Sequence, residues 1–136
     1  MFQRVVLVLG IIVATYISVR ALTAPQDVLS NFGLVVEGAD GRNEIRGQYG
    51  GFFGAVSLAL IACLFDRLPR RFGLGLLLVT VGGVLFGRIA SLLIEGPTIW
   101  ASYSTGIKTF IVLDIVIVAL TLAALRQPSA PTEDAG

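Results

Sequence analysis

Four apolar stretches, Val5 to Leu22, Gly47 to Phe65, Phe72 to Ile94 and Ile107 to Leu125, decide what this chain can become. Crossing a hydrocarbon core about 30 Å thick takes roughly 20 consecutive apolar residues, and each stretch approaches or exceeds that length. Hydrocarbon offers no water to backbone N–H and C=O groups, so each stretch must satisfy its own as a helix. The expected fold is therefore all-α, an integral membrane bundle of four transmembrane helices. One domain, residues 1 to 126, carries the helices, and a tail over residues 127 to 136, rich in Pro, Ala and acids, is expected to be disordered. Hydrophobic residues make up 55% of the chain and mean hydropathy is +0.87, above the about 45 to 50% apolar share of soluble domains.

The first stretch has the look of a secretory signal, because Arg4 precedes it and small residues Ala21 and Ala24 follow. Cleavage after Ala24 would place Leu22 three positions back and Pro25 directly after the cut, so the segment is expected to stay as a permanent helix. Orientation follows from arginine and lysine in the short loops. The turn Asp66-Arg67-Leu68-Pro69-Arg70-Arg71 carries three arginines, and Arg4 marks the amino-terminal flank. Positive loops stay in the cytoplasm, which puts both termini there; Arg126 lies on the same side. The other two loops hold Arg42, Arg46 and Lys108, offset by Glu37, Asp40, Glu44 and Glu95. From Pro25 to Val36, Val28, Leu29, Phe32, Val35 and Val36 recur at helical spacing, which predicts a short amphipathic helix on the outer surface, broken by Gly38 and Gly41. Such a helix either rests in the headgroups or covers the mouth of the bundle. Tyr49, Trp100 and Tyr103 fall near the same surface, where amphipathic rings form a belt.

Net charge is only +1, so no basic field exists to gather nucleic acid. The chain has one cysteine and no histidine, which excludes an internal disulfide and a histidine-ligated metal or haem within it; no cofactor and no metal is expected. Cys63 stands in an apolar run and reads as packing.

Helices in lipid associate through close contact and interhelical hydrogen bonds, both of which small residues allow. Gly47, Gly51, Ala55 and Ala59 recur every four residues in the second stretch, with Gly50 and Gly54 beside them, and Gly83, Gly87 and Ser91 repeat the device in the third. The stripes serve either packing of the second helix on the third or an interface with a second copy or another membrane protein.

Two ionisable residues stand inside apolar segments, where an ion is costly unless paired or hydrated. Counting ~1.5 Å per residue, Arg88 lies about 9 Å below the outer end of the third helix and Asp114 about 10 Å below that of the fourth. Equal depth on consecutive antiparallel helices predicts a bidentate salt bridge between them. Ser91 and Glu95 follow Arg88 on one face, Thr15 and Tyr16 fall at similar depth, and Glu44, Arg46 and Tyr49 lead into the second helix. Arg88, Asp114, Glu44, Arg46, Tyr49, Ser91 and Glu95 thus define either a polar pocket opening outward or a network that only locks the helices.

The run Glu44-Ile45-Arg46-Gly47-Gln48-Tyr49-Gly50-Gly51, the third helix with Gly87-Arg88, and Glu95-Gly96-Pro97 resemble, in that order, the bacterial membrane proteins of domain-of-unknown-function family 4345. The resemblance covers all but the tail. It implies a small four-helix protein of the bacterial inner membrane with an acid in the last helix, onto which Asp114 maps although glutamate is usual there. It singles out Glu44, Arg46, Tyr49, Arg88 and Asp114 and implies no reaction. The leading functional expectation is noncatalytic: binding a membrane lipid or other lipophilic small molecule, or serving as accessory subunit of a membrane complex. A membrane-embedded enzyme using Asp114 or Glu44 as acid or base and Arg88 on an anion is the second, and an oligomeric transporter the third.

Overall fold

The structure is a computed structural model that describes residues 1–96 and 98–127. The expected disordered tail therefore lies, from residue 128 on, outside the described residues, as does Pro97. Four helices are long and apolar enough to span a membrane: α1 (Phe2–Thr23), α2 (Gly38–Leu64), α3 (Arg70–Glu95) and α4 (Thr105–Leu125). The shortest has 21 residues, which at ~1.5 Å each reaches across the hydrocarbon. The start of α1, the end of α4 and the turn at 66–69 share one end of the bundle, called here the turn end; the loops at 24–37 and 96–104 share the other, the loop end.

Local chemistry explains where the helices stop. α1 runs to Thr23 because Ala24 precedes Pro25, whose ring disfavours a helical predecessor. The chain enters α2 at Gly38, with φ +69°, and leaves α3 at Gly96, with φ +87°, conformations that carry little penalty only without a Cβ. Ser104 caps α4 by accepting a hydrogen bond from the Ile107 N–H at 3.3 Å.

The first loop holds a single 3-10 turn, Ser30–Phe32, with turns before it and extended chain after it. This is less helix than the stretch Pro25 to Val36 foreshadowed, and Val35 is 81% exposed. In compensation α2 starts nine residues before Gly47: Asp40 sits in its first turn, where the helix dipole favours an acid, and Gly41 is carried inside the helix instead of breaking it. Between Arg46 and Gly51 the helix opens into a six-residue π segment before resuming at Phe52.

α1 packs along α2, and α3 along α4; α2 meets α3 less extensively, and α1 also touches α3 and α4. The core gathers toward the turn end, from Val6 and Leu7 of α1, Leu60 and Cys63 of α2, Leu74 and Leu77 of α3 and Ala124 of α4.

The small-residue stripes do not hold α2 to α3. Gly47, Gly51 and Ala55 are exposed and Ala59 only half-buried, while an added Cβ at Gly47, Gly83 or Gly87 would meet nothing within 4 Å. The close approach is one face over, between α2 and α1. A Cβ at Gly50 would fall 2.7 Å from Leu22 Cδ2, and one at Gly54 3.0 Å from Ser18 Oγ. The facing stripe on α1 is Gly10, Ala14, Ser18 and Ala21, all buried. With the backbones this near, Ser18 Oγ donates to the Gly50 carbonyl at 2.7 Å and Thr15 and Ser57 share a hydrogen bond at 2.6 Å. The carbonyls ending α4 are met from both neighbours: Gln3 Nε2 donates to Ala124 O at 3.1 Å and Arg71 Nη2 to Leu125 O at 2.9 Å.

Candidate functional site

Arg88 and Asp114 meet across α3 and α4, with Nε 2.9 Å from Oδ2 and side chains only 23% and 14% exposed. The contact is not the two-point fork expected from the sequence. The Arg88 Nε and Asp114 Oδ2 atoms are buried yet unsatisfied as hydrogen-bonding groups, so the attraction at this contact is coulombic. An aromatic lid covers the guanidinium. Its carbon lies 5.8 Å from the centroid of Phe110, one turn before Asp114, and Phe32 from the first loop lies against Phe110 at 5.4 Å and 54°. A cation over a ring gains about 0.5 to 2 kcal/mol as water is excluded. Phe32 was expected on the apolar side of a loop helix; its place here ties the first loop to α4.

A second polar knot lies one turn nearer the loop end. Ser91 Oγ donates to Glu95 Oε1 at 3.2 Å and lies 3.1 Å from the Tyr103 hydroxyl. Trp100 packs edge-on against Tyr103 and holds the Lys108 ammonium over its ring at 5.8 Å.

The remaining sequence candidates stand apart from these. Glu44 and Arg46 are exposed on α2, and Arg46 Nε reaches back to the Leu22 carbonyl at 3.2 Å, tying α2 to α1. Tyr49 faces the other way. It stacks on Phe53 at 6.3 Å and 19°, and Phe53 meets Phe52 edge-on at 5.3 Å. These three rings, with Gln48, form one wall of an open groove of about 640 Å³ between α2 and α3; Val79, Thr80, Gly83 and Val84 line the other. Neither Arg88 nor Asp114 is among the groove's lining residues. Of the seven polar candidates, Arg88 and Asp114 form the α3–α4 clamp, Ser91 and Glu95 the second knot, Arg46 the α1–α2 contact and Tyr49 the groove wall, while Glu44 is exposed on α2. Sequence reasoning missed the groove, whose signal was the aromatic triplet Tyr49, Phe52, Phe53 opposite glycine-rich α3.

At the turn end Asp66 receives Arg70 Nη2, 2.7 Å from Oδ1, and Arg4 Nη2, 3.1 Å from Oδ2. The Arg70 hydrogen bond, reinforced by Arg4, holds the Asp66 carboxyl below its ordinary value. Among the described residues no three Cys, Asp or Glu side chains come together as a metal ion would need.

Fold and site together define a small polytopic membrane protein of four spanning helices, with one ion pair between α3 and α4 and an open groove between α2 and α3. Residues 2–125 match the family model of a domain of unknown function, DUF4345, and the chain belongs to that family. No curated protein and no solved structure matches it.

Proposed function

We propose that this protein binds a membrane amphiphile, taking its acyl or isoprenoid chain into the groove between α2 and α3. The observation that carries the reading is the groove itself. It is open on one side, walled by Tyr49, Phe52 and Phe53 on α2, and Gly83 leaves the facing α3 wall without a side chain at that point. Sites for small apolar ligands are concave and mostly apolar with a few polar groups that fix orientation, here Gln48, Tyr49 and Thr80. The Arg88–Asp114 pair serves this reading as a clamp between α3 and α4 that leaves α3 free to form the groove wall.

Gly83→Leu tests the reading directly. A Cβ there meets nothing within 4 Å, so leucine fills the groove without disturbing the bundle. Native mass spectrometry of the detergent-extracted wild type is expected to show retained lipid-like adducts, and the variant to carry one bound molecule fewer than the wild type with unchanged melting. A variant that retains as many bound molecules as the wild type, or a wild type that carries none, overturns the assignment.

The charge distribution supports a bacterial inner-membrane location with both termini cytoplasmic. Arg4, Arg67, Arg70, Arg71 and Arg126 crowd the turn end against Asp66. The loop end balances Arg20, Arg42, Arg46 and Lys108 against Asp27, Glu37, Asp40, Glu44 and Glu95. A fluorescent protein fused after Gly136 is expected to glow and a periplasm-dependent phosphatase at the same place to stay inactive; the reverse result inverts the orientation.

A further inference from the structure

We propose that the turn between α2 and α3 is a binding site for the phosphate of an anionic phospholipid, built from Arg4, Arg67 and Arg70 around the Asp66 carboxylate. The site stands at the turn end, shares no residue with the groove lining, and does not depend on what fills the groove.

The cluster has more donors than its own acceptor can use. Each guanidinium presents five N–H groups in a fixed fork, whereas one carboxylate accepts about four hydrogen bonds. Asp66 is shared by two arginines, and Arg70 Nε is buried with no hydrogen-bond partner. Arg67, next in the chain, is exposed and makes no ion pair among those seen. Two guanidinium charges on one carboxylate leave a positive excess before Arg67 adds its own.

The backbone holds this arrangement under strain. Asp66 adopts φ +58°, the only non-glycine residue with positive φ among those described. Glycine would sit there without penalty; aspartate instead supplies the carboxylate that fixes Arg4 of one helix and Arg70 of another in a single place. A surface merely meant to be positive would not need that acid.

The neighbouring side chains choose a lipid over a soluble anion. Phe65, Leu68 and Phe72 are 70%, 39% and 53% exposed around the same turn. Apolar rings beside arginines match the boundary where acyl chains give way to phosphates, and anionic lipids attract clustered arginines at that depth.

The test is a lipid titration of the full chain in a neutral detergent, read by native mass spectrometry, with phosphatidylglycerol and phosphatidylcholine of matched chains as probes. Phosphatidylglycerol is expected to bind at least about tenfold more tightly. Arg70→Lys keeps the charge but loses the fork, and is expected to remove most of that preference; Arg67→Gln, which breaks no contact seen in the structure, is expected to weaken it about threefold. Arg126→Gln, equal in charge but outside the cluster, and Gly83→Leu, in the groove, are expected to leave it unchanged. Equal binding of the two lipids overturns the proposal, as does an Arg70→Lys protein that binds like wild type, since diffuse attraction then suffices. Loss of the preference in Gly83→Leu would relocate the lipid to the groove. Full displacement by millimolar inorganic phosphate would make the site one for a free anion, and that result too overturns it.

Discussion

Arg88→Ala is expected to destabilise the detergent-solubilised bundle by about 2 kcal/mol, read as a lower midpoint in thermal or denaturant unfolding. Alanine strands the Asp114 carboxylate, 14% exposed in the intact pair, with no cation beside it and its Oδ2 already without a hydrogen bond. Stranding one member of a fully buried pair costs about 3 to 5 kcal/mol, while polar contacts between membrane helices average nearer ~0.6 kcal/mol. Partial exposure and the unaligned N–H set the expected value between these limits. The ring contact to Phe110 disappears too, so Phe32 loses part of what holds the first loop against α4. Arg88→Leu combined with Asp114→Leu is expected to recover most of the loss, because removing both charges removes the desolvation problem. A single alanine variant that melts with the wild type would show that the pair contributes nothing to the bundle.

Gly73→Ala is expected to cost about 2 kcal/mol, by overpacking, although it adds one methyl group to an apolar site. The new carbon would lie 2.8 Å from Cys63 Sγ, 2.9 Å from Cys63 Cβ and 3.0 Å from Leu7 Cδ2, and both neighbours have no exposed surface into which to retreat. Two residues on, Gly75 has nothing within 4 Å of an added Cβ, so Gly75→Ala is expected to be neutral or, by helix propensity, up to about 1 kcal/mol more stable. The contrast separates packing from glycine content in general. Cys63→Ala in the Gly73→Ala background removes the sulfur but keeps the Cβ at 2.9 Å and Leu7 Cδ2 at 3.0 Å, so it is expected to restore only part of the stability. Equal unfolding midpoints for the two alanine variants would show that α3 does not press on α2 at Cys63.

How far the sequence reached depended on how strict the physics was at each residue. The spans were readable because hydrocarbon tolerates no unsatisfied backbone, and the meeting of Arg88 with Asp114 because two ions at equal depth have few other partners. The packing face was not readable from the spacing used. Four-residue spacing shows which residues share a face, not which neighbour that face meets: Ala55 and Ala59 lie in the regular helix Phe52–Leu64 and are nonetheless exposed and half-buried. Gly50 and Gly54 face α1 instead, against a stripe, Gly10, Ala14 and Ser18, that the same four-residue count would have found in the first span. The early start of α2 is hidden for another reason: Asp40 to Arg46 is largely polar and carries no apolar run that would extend the span. The Phe32–Phe110 contact joins residues far apart in the chain, so periodicity carried no sign of it.

A π turn holds one residue more than an α turn, so the charged rung bearing Arg42 and Glu44 is swung by roughly 100° from where a continuous α-helix would aim it. The six residues therefore work as a phase shifter. The Phe52 and Phe53 rings below and the ionic crown above answer to separate angular references, and a gain or loss of one residue between them re-aims the crown while those two rings stay put.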